Sequence, residues 1–157
     1  MKQARISTAT RKTTVAAKER KEKEGVASAA IELADGTLIT AHTSDLLGPS
    51  AALLLNATKH LAGIDHEVKL IPQAMIEPIQ KTKVSFLHGN NPRLHTDEVL
   101  VALSMLSLHD DNCRKALDCL PQLADCQVHT TVMLSEIDQK IFKKLGIGLT
   151  SDPVRKK

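Results

Sequence analysis

The chain has 157 residues, of which 42% are hydrophobic and 25% are charged, a balance typical of a globular domain and not of a disordered segment. Phe86 and Phe142 are its only aromatic residues, so it lacks the stacking platforms of proteins that bind single-stranded nucleic acid. The net charge of +3 is unevenly distributed, because residues 1–24 and 155–157 are basic whereas the residues between them are acidic overall. This distribution gives no continuous basic face, and we expect no nucleic-acid partner.

The sequence also argues against a membrane protein or a secreted protein. No apolar run approaches the roughly 20 residues of a membrane-spanning helix, and no signal peptide follows Met1. The basic opening segment has no acidic residue before Glu19, which suits a transit peptide, but we interpret it as a basic lead into a helix. Cys113, Cys119 and Cys126 are odd in number and form no Cys-x-x-Cys pair, which indicates reduced thiols. We therefore expect a cytoplasmic protein with no membrane partner.

The first predicted elements are a helix and a hairpin. Strong helix formers with many charges predict a solvent-exposed helix over residues 12–24, which Gly25 ends. Two strand-like runs then flank Asp35-Gly36, a dipeptide that favours the type I′ turn of a two-residue hairpin. This dipeptide is the strongest local signal in the chain.

A buried helix is predicted next, with Pro49 in its first turn and Gly63 at its end. Apolar residues cover most of its circumference, so we expect it to be largely buried. A short strand is predicted over residues 67–71, and Pro78 is expected to start or kink the helix that follows.

In the second half of the chain, Thr96 is expected to cap a helix whose positive first turn carries Asp97 and Glu98. Ser135 and Asp138 stand at the spacing of a capping box, although Glu or Gln is the usual fourth residue. The other predicted elements are a helix over 111–120, a strand over 126–134, a helix over 136–145 and a strand over 147–150.

Strands that alternate with helices favour an α/β fold. We expect a single domain in which the β-hairpin leads into a mixed sheet flanked by helices. The expected boundaries are a basic, partly helical N-terminal segment (1–25), the α/β domain (26–154) and a basic tail (155–157).

Two segments carry the chemistry of a candidate anion-binding site. Residues 43–50 and 91–98 both lead into helix starts, where unpaired N–H groups and the helix dipole favour negative charge. Arg93 would supply a planar cation, and His95 a group that titrates near neutral pH. The alternatives are a turn with capping hydroxyls at 43–50 and an ion pair of Arg93 with the acidic residues that follow it, Asp97 or Glu98. The candidate residues are Ser44, Asp45, Gly48, Ser50, Arg93, His95 and Asp97.

No complete catalytic motif accompanies these segments. A zincin needs His-Glu-x-x-His, but the sequence after His66-Glu67 is Val-Lys-Leu. The ligand-x-Glu and Pro-Cys-x-x-Cys pairs of a zinc deaminase are missing, and so is a Gly-x-Ser-x-Gly nucleophile elbow. The sequence therefore indicates no metal and no cofactor, and it does not decide whether the chain is an enzyme.

Several stretches resemble one bacterial protein family in the expected order. They are AAIELADGTLIT, TSDLLG with SAALLLNA, LAGI, IEPIQ, NPRLHTDEVLVALS and KLGIGLTSDPV, all from residue 28 onward. These stretches are similar to the C-terminal domain of domain-of-unknown-function family 1846, also called uncharacterised protein family 0371. Residues 1–24 fit the family poorly, and Ser151-Asp152 stands where relatives often have Cys-Glu.

The resemblance implies a domain of a larger protein to which no reaction is assigned. Members of the family are several times longer, and their N-terminal region includes a Gly-rich loop like a phosphate-binding loop, whereas this chain contains no G-x-x-x-x-G-K-[ST]. We expect a detached C-terminal domain that acts by packing against that N-terminal region, another subunit or a second copy. The alternative is a small ligand-binding or enzymatic domain that recognises a phosphorylated or acidic metabolite through residues 43–50 and 91–98.

Overall fold

The computed structural model describes residues 2–89 and 91–152, so the predicted basic tail at 155–157 lies outside the described residues. The first half contains α1 (Lys2–Glu24), β1 (Ser28–Glu32), β2 (Leu38–His42), α2 (Pro49–Ala62), α3 (Gln73–Lys81) and a π-helical turn (Thr82–Phe86). The second half contains α4 (Thr96–Leu106), α5 (Asp111–Asp118), a 3-10 turn (Leu120–Leu123), β3 (Gln127–Thr130), α6 (Glu136–Lys144) and β4 (Gly148–Ser151).

The four strands form one mixed sheet in the order β2–β1–β3–β4. β1 pairs antiparallel with both β2 and β3, whereas β3 and β4 are parallel and are joined through α6. A parallel pair needs such a crossover, because the chain must return to the same end of the sheet. The strand registers place the carboxyl ends of β2, β3 and β4 at one edge. The predicted α/β fold, a hairpin leading into a mixed sheet flanked by helices, is confirmed.

The core has two parts that share α2. One face of the sheet packs against α2 and α6, where Ile31 and Val128 meet Leu53 and Phe142. The second part lies between α2, α4 and α5 and includes the other side of α2, for example Leu55. A helix that packs in both parts of the core must be apolar around most of its circumference, as predicted for α2. Each fully buried Leu, Ile or Phe contributes about 1.5–3 kcal/mol of burial free energy.

The first helix differs from its prediction as an exposed element. α1 packs against β1, β2 and β3 on the sheet face opposite α2, and its Thr13 and Ala17 side chains are completely buried. Small residues at these positions let a highly charged helix approach the sheet closely, and most of its charged residues from Lys12 to Glu24 are exposed. Within the ranges that the structure describes, no helix has the length and apolar character of a membrane span.

The β1–β2 hairpin forms as predicted, but its turn is not of type I′. Leu33 N donates to Thr37 O at 2.8 Å and Gly36 N donates to Leu33 O at 2.9 Å, so the loop has one residue more than a type I′ hairpin. Gly36 has a φ of 88°, whereas Asp35 is not in the left-handed region. The Asp35 carboxylate instead accepts a hydrogen bond from Thr37 N at 2.9 Å. This longer loop needs one left-handed residue, and Gly36 supplies it.

The strand predicted over residues 67–71 is wrong, because this segment forms an irregular loop. Its apolar pattern reflects burial of Leu70 against the second part of the core and not strand pairing. Lys59 Nζ, which extends from α2, donates to the carbonyl oxygens of His66 at 2.9 Å and Val68 at 3.1 Å. A side chain thus satisfies backbone groups that a neighbouring strand would otherwise bind.

Candidate functional site

The loops 43–50 and 91–98 lie side by side at the carboxyl edge of the sheet. Leu47 and Leu94 form an isolated parallel bridge. Leu94 N donates to Leu46 O at 2.9 Å, and Gly48 N donates to Leu94 O at 3.3 Å. These backbone bonds place the N-terminus of α2 beside the N-terminus of α4.

The carboxylate of Asp138 lies between these two helix starts. Asp138 belongs to the first turn of α6 and is only 5% exposed. Its Oδ1 accepts the N–H of Thr96, the first residue of α4, at 2.9 Å. Its Oδ2 accepts the hydroxyl of Ser50, in the first turn of α2, at 3.2 Å. The positive ends of three helix dipoles therefore share one negative charge.

The environment of Asp138 keeps this carboxyl group ionised. Burial raises the pKa of Asp138, because a buried charge loses its hydration, but the contacts with His95 and Thr96 outweigh burial and lower the pKa to about 2. His95 Nδ1 is 3.6 Å from Asp138 Oδ2 and forms an ion pair with it when the imidazole is protonated. Asp138 thus supplies, from within the chain, the negative charge that two adjacent helix starts favour.

The start of α4 explains how Thr96 becomes available to Asp138. The N-cap residue is His95 and not Thr96, so the predicted cap is wrong by one residue. The Glu98 carboxylate accepts the N–H of His95 at 2.9 Å, which is one half of a capping box. Because the buried Asp138 carboxylate satisfies the first N–H of the helix, the Thr96 hydroxyl is not needed as a cap.

The start of α6 explains why the fourth residue of its capping sequence is Asp. Ser135 is the N-cap as predicted, and its hydroxyl oxygen accepts the N–H of Asp138 at 3.3 Å. In a complete capping box the fourth side chain would turn back to the N-cap backbone. The Asp138 side chain points instead to Thr96 and Ser50.

Arg93 lies on the outer side of the same junction. Its Nε donates to the carbonyl oxygen of Ser44, which ties loop 91–98 to loop 43–50. Among the described residues it forms no ion pair with Asp97 or Glu98, the partners in the alternative prediction. Glu98 pairs with Lys83 instead, at 2.7 Å. The guanidinium Nη groups of Arg93 have no hydrogen-bond partner within residues 2–89 and 91–152.

The remaining candidate residues have local roles. The Ser44 hydroxyl oxygen accepts the N–H groups two and three residues further on, which is the capping turn that was the alternative at 43–50. Gly48 is buried, and its N–H binds loop 91–98, so it does not point to solvent. Asp45 is exposed and contributes its carbonyl oxygen to Gln80. Asp97 is half-buried, and its Oδ1 has no hydrogen-bond partner in the described part of the chain.

A second buried polar group was not predicted from the sequence. His129 on β3 is 5% exposed, with Nδ1 2.7 Å from Thr150 Oγ1 and Nε2 3.1 Å from Asp152 Oδ1. These contacts connect β3 to the parallel strand β4 and to the residue that follows it. The pairing of His129 with Thr150 depends on the strand register, so no local sequence signal reveals it.

The cysteines are not arranged for chemistry. Cys113, Cys119 and Cys126 are all buried, and none of them forms a disulfide. Burial raises the pKa of the Cys113 and Cys119 thiols, so both stay protonated at neutral pH and are poor nucleophiles. Cys113 Sγ donates to Leu70 O at 3.1 Å and helps to fix the loop before α3.

Replacing Asp138 with Asn keeps the shape of the side chain but removes the charge that three helix starts share. We expect Asp138→Asn to lower the free energy of unfolding by about 2 kcal/mol near neutral pH, because hydrogen bonds to a charged group contribute about 1.5–3 kcal/mol. Glu136→Gln is the matched control, since Glu136 is exposed in the same turn of α6. Urea unfolding measures both variants, and equal midpoints would contradict the role assigned to Asp138.

The effect of Asp138→Asn should also depend on pH. The folded-state pKa of about 2 lies below the ordinary value of 3.8, so ionised Asp138 contributes stability above that ordinary value. This contribution is lost as the pH falls towards 2. Urea unfolding over this pH range should show the wild-type protein and the variant converging in stability. A difference that stays constant down to the lowest pH would argue against a charge effect.

Comparison with known proteins identifies the relatives of this chain. The family model described as domain of unknown function DUF1846, C-terminal, matches residues 9–157, so the match includes residues 9–24, which were expected to fit the family poorly. A UPF0371 protein of Corynebacterium aurimucosum is 51% identical over 154 residues, and UPF0371 protein SUB1165 of Streptococcus uberis is 42% identical over 149 residues. These matches cover 98% and 95% of this chain but only 31% and 30% of the two relatives. The chain therefore belongs to the DUF1846 family and corresponds to its C-terminal domain.

Proposed function

We propose that this domain is an interaction module that packs, through the outer face of α4, against the larger N-terminal part of DUF1846 proteins. The observation that carries the proposal is a row of exposed apolar side chains on α4 and just after it. Val101, Met105 and Leu108 are 62%, 63% and 78% exposed. Val101 and Met105 stand four residues apart and so lie on one side of the helix, and Leu108 follows in the turn after it.

The opposite face of α4 packs in the core. Val99, Ala102 and Leu103 are buried against the second part of the core. Core packing therefore does not account for the outer row, and soluble domains seldom expose large apolar side chains in a contiguous row without a partner. Phe86 and Leu87, which follow α3, are also well exposed and add to the apolar surface of the domain.

The length of the relatives points to the partner. The chain spans 31% of the Corynebacterium aurimucosum protein, so more than two thirds of that relative has no counterpart in it. A domain that is part of a longer chain usually buries an interface of roughly 600–1,500 Å² against its neighbour. The exposed face of α4 supplies an apolar centre for such an interface, and polar residues at its margin, such as Ser104, suit the rim.

Association through α4 is testable with one substitution and a matched control. We expect the domain to copurify with the N-terminal part of the Corynebacterium aurimucosum relative when the two are coexpressed. Met105→Asp should weaken the complex about tenfold or more, because an unpaired carboxylate would be buried in the interface. Val15→Asp is the control, since Val15 is an exposed apolar residue on α1. Isothermal titration calorimetry would measure both affinities.

Two outcomes of this experiment would contradict the proposal. One is the absence of any complex between the domain and the N-terminal part. The other is an equal loss of affinity for Met105→Asp and Val15→Asp. Self-association of the domain alone, detected by light scattering and abolished only by Met105→Asp, would assign the same face to contact with a second copy instead.

A second candidate function is recognition of a phosphorylated or acidic metabolite beside loops 43–50 and 91–98. The supporting observation is that Arg93 bridges the two loops while its Nη groups stay unpartnered among the described residues, and the His95 side chain is 25% exposed next to it. Asp138 already occupies the space between the helix starts. A ligand would therefore bind outside that carboxylate, against Arg93 and His95.

This second candidate predicts a specific effect of Arg93. In a thermal-shift screen of nucleotides and sugar phosphates, at least one compound should stabilise the wild-type domain. Arg93→Ala should weaken its binding about tenfold to a hundredfold, and Arg93→Lys should restore only part of the loss, because the planar fork is missing. Arg114→Ala on α5 is the control, since Arg114 is exposed and pairs with Asp111. A screen without any stabilising compound, or an Arg93→Ala response equal to wild type, would exclude this site.

A further inference from the structure

We propose that the free edge of β4, together with the groove between β4 and α6, binds an extended acidic peptide segment that adds to the sheet as a further strand. This surface is separate from the outer face of α4, so the proposal does not depend on the interaction proposed above. Three observations carry it, and they concern the backbone of β4, the shape of the groove and the charge of its wall.

The backbone of β4 presents hydrogen-bonding groups to the outside of the sheet. Gly148 N donates to Cys126 O at 2.9 Å, and Asp152 N donates to Thr130 O at 3.0 Å. In a parallel pair the residues that bond one neighbour alternate along the strand, so Gly148 and Asp152 face β3 while Leu149 and Ser151 direct their N–H and C=O groups to the free edge. No described residue pairs with these outward groups. Such a row is a template for another strand.

The two edges of the sheet differ in this respect. At the β2 edge, one outward group, the carbonyl oxygen of Thr40, accepts a hydrogen bond from Asn56 Nδ2 of α2, at 3.2 Å. β4 is short, but it contains no proline and no charged residue, two of the means by which natural edge strands avoid pairing. Within residues 2–89 and 91–152, no side chain binds the outward groups of β4 in this way, so the β4 edge can accept a strand.

A groove runs along this edge on the side of α6. It has a volume of about 420 Å³. Ile147 and Leu149 provide its apolar part, and α6 provides the opposite wall. A strand edge beside a helix is the arrangement in which peptides bind by strand addition, because backbone bonds give affinity and alternate side chains enter the groove. The lining residues are Glu136, Gln139, Lys140, Lys143, Ile147 and Leu149.

The charges on the α6 side of the groove indicate which kind of peptide would bind there. Lys140 and Lys143 are three residues apart, both exposed, and have no salt-bridge partner in the described ranges. Lys143 lies in the last turn of α6, Lys140 lies in the middle of the helix, and Glu136 is its first residue. An extended segment with acidic side chains opposite the two lysines and an apolar side chain against Leu149 fits this groove in both charge and polarity.

A phage-displayed library of random dodecapeptides provides a probe for the edge. Selection on the purified domain should enrich peptides in which acidic and apolar residues alternate. A synthetic selected peptide should shift the amide NMR signals of residues 148–151 more than those of β2. Lys140→Glu combined with Lys143→Glu should weaken its binding about tenfold or more, since two charge pairs are reversed.

Two further variants separate edge pairing from a general charge effect. Lys144→Glu is the matched control, because Lys144 is an exposed lysine of α6 that does not line the groove, and its affinity should stay close to wild type. Ser151→Pro removes an outward donor without breaking the β3 ladder, so binding should be lost while the circular dichroism spectrum is unchanged. Selection of no peptide or of basic peptides, NMR shifts outside β4 and α6, or equal effects of Lys144→Glu and the double variant would overturn the proposal. A β4-paired dimer that excludes peptide would overturn it as well.

Discussion

The ionised carboxylate of Asp138 connects parts of the chain that are distant in sequence, and the arrangement of three helices depends on it. Thr96 and Ser50 bring the first turns of α4 and α2 to this side chain, which itself belongs to the first turn of α6. A buried charge is stable only when hydrogen bonds and opposite charge compensate its loss of hydration. The chain meets that condition by directing helix starts at Asp138, and this fixes where α4 lies relative to the sheet.

This arrangement determines which surfaces remain for other molecules. Adjacent helix starts normally suit an external anion, but here a side chain of the domain already provides the negative charge. Other molecules would therefore bind at the outer surfaces, which are Arg93 beside the loop junction, the apolar face of α4 and the free edge of β4. Because α4 and α6 are both held by Asp138, the helix with the apolar face and the helix beside the groove are oriented by the same contact.

Local sequence signals were sufficient where the local backbone decides the structure. α2 begins at Pro49 and ends before Gly63, as predicted, and the hairpin forms around Gly36. The turn type at Asp35 was wrong because the loop is one residue longer than the dipeptide alone suggests. The strand predicted over 67–71 was wrong because its apolar pattern reflects burial of Leu70 in the core, and Lys59, which is apart in sequence, satisfies the carbonyl oxygens of His66 and Val68. The unusual Asp at the fourth position of the α6 capping sequence was the only sequence sign of the buried carboxylate.

The most direct test of this account is the pKa of Asp138 in the folded domain. An NMR titration of the side-chain carboxyl carbon, in protein labelled with ¹³C, reports the ionisation of this group. We predict a pKa of about 2 for Asp138, clearly below the ordinary value of 3.8, because contacts from His95 and Thr96 favour the charged form and outweigh the effect of burial. A pKa at or above the ordinary value would show that the carboxylate is not held by the helix starts, and would contradict the central role of Asp138.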